Sequence, residues 1–125
     1  MREKGQGTIL VSGNTQCHRG TAGLSRIAPS KFAQRGLTQC MAQEYKPHGV
    51  HVCMVIIDGF VDAPGIRTQK MTAKSWENEQ GEPGAYLLNP NDIGEACVYL
   101  CKQPQSVWTH EMWLTPKNVV LGQRL

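Results

Sequence analysis

Val50-His-Val-Cys-Met-Val-Ile-Ile57 decides the fold. The run is apolar throughout except for His51, so it shows no alternation of polar and apolar faces. A strand with one wet face would alternate. An unbroken run is what a parallel strand needs when helices cover both of its faces. Pro47-His-Gly49 sets its start and Asp58-Gly59 its end.

The segment before it, Pro29 to Glu44, reads as a helix. Phe32/Ala33, Gly36/Leu37 and Cys40/Met41 recur every four residues and give one apolar face. Pro29 suits the first turn, where its missing N–H costs nothing. Further upstream, Thr8-Ile-Leu-Val11 is a short apolar run expected to form a buried strand, after a polar, Gly-containing start. Ser12 to Arg26 is rich in Gly, Ser and Thr with no apolar period, so a loop is expected there. In α/β proteins such loops, following strand C-termini, carry the sites.

Downstream, periodicity is weak from Phe60 to Leu88. Short helical turns are expected around 65–72 and an exposed loop over Glu77–Gly84. Asn89-Pro90-Asn91-Asp92 is a helix start: Asn89 caps, Pro90 takes the first position, and Asp92 sits near the positive end of the dipole. Ile93, Ala96/Cys97 and Leu100/Cys101 are expected to form its buried stripe, and Pro104 closes the helix. Glu111 to Thr115 is a final short strand. The order is strand, helix, strand, loop, helix, strand. Two βαβ units of this kind predict an α/β fold, with a parallel sheet of about three strands and helices on both faces.

Composition narrows the function classes. With 125 residues, 40% apolar and 18% charged, the chain reads as one globular domain. A net charge of +3 without a basic stripe argues against nucleic acid as partner. The apolar run 50–57 is far short of the roughly 20 residues that span a bilayer. No charged-then-apolar leader follows Met1, so a cytoplasmic protein with reduced thiols is expected. Cys17, Cys40, Cys53, Cys97 and Cys101 contain no CxxC, and His18, His48, His51 and His110 form no tight ligand set, so no metal site is expected.

Several pieces together resemble the short-chain dehydrogenase/reductase family from its fifth strand onward. They are Gly7-Thr-Ile-Leu, the Lys31 helix with Phe32 and Ala33, Gly49-Val-His-Val, Asp58-Gly59 where the family has Pro-Gly, Asn89-Pro-Asn-Asp-Ile-Gly-Glu-Ala, and Trp108-Thr-His-Glu-Met-Trp-Leu. The resemblance implies a partial Rossmann-like, doubly wound sheet. It also implies a single domain over 1–125 in which 60–88 is a substrate lid. Met1 aligns with an interior point, so the sequence reads as the half that lacks the N-terminal nucleotide-binding strands. Gly5-x-Gly7 precedes a strand and is no phosphate cradle.

The family works with a Ser, a Tyr and a Lys. Counting back from Lys31 puts the tyrosine position at Ile27 and the serine position at Asn14. Ile27 has no ionisable group and cannot donate a proton, and an apolar plug in a vacated pocket is expected of it. Asn14 retains an amide able to orient a carbonyl oxygen, and Lys31 an ammonium for ribose hydroxyls. Ser12 and Thr15 flank the serine position. Gly59 and Val61 are the implied backbone contacts for the nicotinamide, with Ala63 where the family has a threonine.

The implied cofactor is NAD or NADP, and the implied substrates are small carbonyl/alcohol pairs. With its tyrosine gone, this chain is expected to be inactive and to hold a cofactor weakly or not at all. The alternatives are a non-catalytic module pairing with another subunit of the family, or a truncated product. Thr8–Val11 would be an open edge, so a homo- or heterodimer through the 29–44 helix is expected.

Overall fold

A computed structural model describes residues 1–64 and 87–117. Strand β1 (Gly7–Asn14) runs into a 3-10 turn at Thr15–Cys17, and helix α1 (Ala28–Tyr45) follows. A second 3-10 turn, Lys46–His48, leads to β2 (Val50–Ile57). Then come β3 (Phe60–Val61), β4 (Leu87–Leu88), α2 (Pro90–Cys101) and β5 (Glu111–Leu114). The order β1-β2-β5 makes a three-stranded parallel sheet, and β3 and β4 pair as a small parallel ribbon. The expected helical turns at 65–72, the loop at 77–84, most of the lid and the tail from 118 lie outside the described residues.

Strand β2 is the core. Every residue from Val50 to Ile56 is buried, and His51 is only 3% exposed. Met54 and Ile56 pack with Cys17 on one face. Cys53 and Val55 pack with Leu100 of α2 on the other, joined by Leu10, Ile57, Cys97, Met112 and Leu114. Two covered faces are what the unbroken apolar run demanded. Each buried aliphatic side chain here contributes about 1.5–3 kcal/mol.

Strand β1 is longer than its apolar run. Ser12, Gly13 and Asn14, expected in a loop, continue the ladder opposite Val55, Ile56 and Ile57. Pairing with a rigid central strand outweighs the weak strand preference of these three residues. Asn14 therefore stands at a strand end.

Helix α1 has its amphipathicity turned inside out. Ala28 and Thr38 are its buried residues, and Lys31, Gln34 and Arg35 are half-buried. The apolar stripe faces away from the sheet: Phe32 is 45% and Leu37 is 61% exposed, and Ala33, Gly36 and Cys40 are exposed too. The buried Thr38 is satisfied within the helix itself. Thr38 Oγ1 donates to Gln34 O at 2.8 Å, one turn back, which lets a hydroxyl be buried.

The 3-10 turn that follows the helix ends at Gly49, whose φ of +67° is left-handed. A side chain there would also strike the carbonyl of Gly5, so glycine is required twice over. Helix α2 begins as the sequence predicts, with Asn89 Oδ1 accepting from Asn91 N at 2.9 Å. Its stripe is narrower than expected. Leu100 is fully buried, and Cys101, one residue around the helix, is exposed.

Candidate active site

The C-terminal ends of three parallel strands meet at one rim of the sheet: Asn14 and Thr15 after β1, Asp58 and Gly59 after β2, Thr115 and Pro116 after β5. Open parallel sheets place their ligands at this rim.

Asn14 caps the 3-10 turn that follows it, its Oδ1 accepting from Gln16 N at 3.1 Å. That leaves the amide NH2 as the end that can donate to a bound oxygen. Thr15 Oγ1 donates to Asp58 Oδ1, tying the ends of β1 and β2 together. Asp58 is 7% exposed, and its N–H donates to Leu114 O at 2.8 Å, tying in β5 as well. Of the two hydroxyls flanking Asn14, Thr15 is thus engaged at the rim, while Ser12 is exposed. The serine-flanking position pointed to Thr15 in the sequence. Its carboxylate partner, 43 residues on, could not be read locally.

Ile27 occupies the cap position of α1 and offers no side-chain acceptor there. Ser30 Oγ donates back to Ile27 O at 2.8 Å. The side chain is 45% exposed, where an apolar plug in a vacated pocket was expected to be buried. Lys31, one turn on, is half-buried, and its Nζ donates to Gln34 Oε1 at 3.0 Å. Among the described residues no hydrogen bond joins Lys31 to Asn14.

The loop after β2 is pinned. A Cβ at Gly59 would come within 3.0 Å of Pro116 Cδ and 3.1 Å of Leu88 Cδ1, so any side chain there would have to push these two neighbours back. Val61 lies in β3 against Leu88 of β4, and Asp62 N donates to Leu88 O at 2.8 Å. Ala63 is half-buried just beyond.

A charged cluster lies beneath this rim, on the α1 face of the sheet. Arg35 Nε and Nη2 donate to the two oxygens of Glu111 at 2.8 and 3.1 Å. His18 Nε2 stands 3.8 Å from Glu111 Oε2, and its ring leans on Trp113 with centroids 4.5 Å apart. The hydrogen bond from Arg35 holds the Glu111 carboxyl below the usual carboxylate range, against the opposing effect of burial. Burial, then repulsion from Arg35, lowers the His18 imidazole, and attraction to Glu111 only partly offsets this. Sequence reading missed this cluster.

On the opposite face, burial pushes the Cys53 thiol up to about 11, which suits a packing residue and not a nucleophile. Among the described residues no group of three or more His, Cys, Asp or Glu is placed to hold a metal ion. No helix among them is long and apolar enough to cross a membrane.

Comparison with known proteins agrees with this architecture. The family model described as enoyl-(acyl carrier protein) reductase matches residues 1–114. The short-chain reductase protein NovJ of Streptomyces niveus is 30% identical over 121 residues, 89% of this chain and 44% of its own length. A crystal structure of a short-chain dehydrogenase from Rhodopseudomonas palustris is 31% identical, with a TM-score of 0.66 over 93% of this chain and 41% of that one.

The closed form of a serine dehydrogenase complexed with NADP+ superposes with a TM-score of 0.78 over 98% of this chain and 49% of that one. At 18% identity it speaks for the fold alone. The chain spans less than half the length of the curated relatives it matches. Its parallel sheet covered on both faces, its strand-end rim and these matches together establish that the chain belongs to the short-chain dehydrogenase/reductase family.

Proposed function

We propose that this chain is a dehydrogenase-fold protein that does not turn over substrate by itself and serves as a binding and pairing module. The family chemistry behind it is NAD(P)-dependent oxidoreduction of carbonyl/alcohol pairs. One observation carries the reading: Ile27, four residues before Lys31 at the start of α1, is an exposed aliphatic side chain that can pass no proton.

The residues at the rim fit the ribose end of NAD or NADP. Among the described residues Lys31 donates to the neutral amide of Gln34, a partner that ribose hydroxyls can replace. The pinned backbone at Gly59 and Val61 suits the nicotinamide end. A bound nucleotide of this class supplies a hydride, and the Asn14 NH2 would then orient the substrate oxygen. Nothing at position 27 would move the proton.

The test is NAD(P)H oxidation by the full chain against a panel of aldehydes and ketones. The expected result is a rate indistinguishable from buffer, for the native chain and for Lys31→Ala alike. A native rate of about 1 s−1, within the ordinary enzyme range, would overturn the proposal.

The exposed stripe of α1 supports pairing as the second half of this reading. Phe32 and Leu37 stand in water beside the small Ala33 and Gly36, which let another helix approach closely. A second copy or another member of the family would cover them. Leu37→Glu is expected to shift the sedimentation of the native chain towards monomer. A native chain that sediments as monomer at micromolar concentration, alone and mixed with an intact relative, would remove the pairing role.

A further inference from the structure

A second opening lies at the other end of the sheet from Asn14 and Asp58. It is a cleft of about 420 Å3, open to solvent, between the C-terminal half of α1 and the first residues of β2, bounded on a third side by the segment leading into β5. That volume falls within the range of small-molecule sites. Strands β1 and β2 run parallel in register over their eight residues. At about 3.3 Å per residue, this puts the cavity roughly 20 Å from the rim.

Its walls divide by chemistry. Trp108 lines one side, with the nearly buried Val50 and Val52 at its base and His51, Thr109 and His110 beside it. Across from them run Gln39, Ala42, Gln43 and Lys46, which share one face of the helix and its end. Ala42 is the short side chain that leaves the room. Among the described residues none of the lining groups is acidic, and Lys46 brings an amine to the helix end of the cavity.

The apolar wall is also held in place beforehand. Trp108 stacks on His51 with ring centroids 5.2 Å apart and planes 8° from parallel. His51 is itself fixed, because its Nε2 donates to Thr109 O at 2.8 Å. A carbonyl can only accept, so this bond settles both the ring's orientation and its tautomer. A preformed wall lowers the ordering cost of a ligand that lies against it.

The geometry points to a binding site for a small carboxylate with an apolar body, separate from the nucleotide rim. The apolar part lies against Val50, Val52 and Trp108. The carboxylate sits at the Lys46 end, where the amides of Gln39 and Gln43 add donors. This assignment stands apart from the functional reading above, because no rim residue takes part in it.

Phenylbutyrate is a suitable probe, with its uncharged amide as control, titrated into the full 15N-labelled chain. Saturable shifts are expected at Ala42, Val50 and the Trp108 indole N–H, with a Kd of about 1 mM or tighter. The neutral amide is expected to bind about tenfold more weakly. Lys46→Gln should erase most of that difference, Ala42→Phe should fill the cavity and abolish binding, and Asn14→Ala should change nothing.

Absence of a saturable shift up to about 10 mM would overturn the proposal, as would equal affinity for acid and amide. If Ala42→Phe loses its dispersed amide spectrum, the Lys46→Gln comparison decides alone. An acid preference surviving in that variant overturns the site.

Discussion

Arg35 on α1 grips Glu111 on β5 through both carboxylate oxygens, at 2.8 and 3.1 Å. This contact ties the inverted helix to the last strand of the sheet and gives the inward-facing arginine its partner. Both side chains are partly buried, 32% and 18% exposed, so the pair is screened less than a surface bridge. Removing Glu111 leaves Arg35 partly desolvated without its carboxylate, and removing Arg35 leaves Glu111 with only the longer His18 contact at 3.8 Å. Arg35→Met or Glu111→Gln is each expected to cost about 1–3 kcal/mol, a drop of about 5–15 °C in Tm. The double variant should cost clearly less than the sum, because it strands no charge. Thermal melts of the four proteins check this, and strict additivity would show that the contact does not anchor the helix.

Acid should destabilise the fold in two steps, because His18 and Glu111 are shifted in the same direction from different starting points. Burial and Arg35 lower the His18 imidazole from 6.5, so the unfolded chain takes up its proton first. Stability from neutral His18 is then complete above 6.5 and is lost as pH falls through the lower folded value. The hydrogen bond from Arg35 lowers Glu111 from 4.5, so its contribution is complete above 4.5 and is lost below it. Urea midpoints taken from about pH 8 to about pH 3 should show both steps. His18→Gln should remove the first and keep the second. A midpoint that stays flat until the carboxylate range would mean that His18 is solvated.

What could be read from the sequence divides by the range of the interaction involved. Val50–Ile57 marked its strand to the residue, and Asn89-Pro90 its helix start, because burial on both faces and end-capping leave local signatures. The far end of β1 left none: Ser12, Gly13 and Asn14 are held extended by a ladder to residues more than 40 positions away. The stripe on α1 was visible as a spacing, but spacing does not say which side faces the sheet. On the inward side Arg35 meets Glu111, a partner 76 residues away. At the rim, Asn14, Ile27 and Lys31 could be located by counting within a motif. The partners that now occupy Asn14 and Lys31, Gln16 N and the Gln34 amide, are choices of side-chain rotamer and turn geometry that no spacing encodes.

Thr15 and Asp58 offer a separate test of the rim. The hydroxyl donates to a carboxylate that is 7% exposed, so its loss matters more than the loss of the charge. Thr15→Val leaves a buried carboxylate without that donor and is expected to cost about 1–3 kcal/mol. Asp58→Asn keeps an acceptor for the same hydroxyl and should cost less than half as much. Denaturant unfolding of the two variants ranks them. The reverse order would mean that Asp58 is stabilised chiefly by groups other than Thr15.

The five cysteines should react in an order set by exposure and thiolate character. Cys40 on the outer face of α1 and Cys101 at the end of α2 are exposed, and Cys97 is half-buried. Cys17 and Cys53 are fully buried, and Cys53 is pushed up to about 11, so it carries almost no thiolate at neutral pH. Brief treatment of the folded chain with N-ethylmaleimide should label Cys40 and Cys101 first. Cys97 should follow, and Cys17 and Cys53 only after denaturant is added. Peptide mapping by mass spectrometry reads the order directly.

The same experiment probes pairing, because Cys40 belongs to the apolar stripe of Phe32, Gly36 and Leu37. If a second copy covers that stripe, Cys40 labelling should slow as protein concentration rises while Cys101 labelling stays constant. Leu37→Glu should abolish the concentration dependence. Labelling of Cys40 that is fast at every concentration would leave the stripe of α1 open in solution and count against a paired chain.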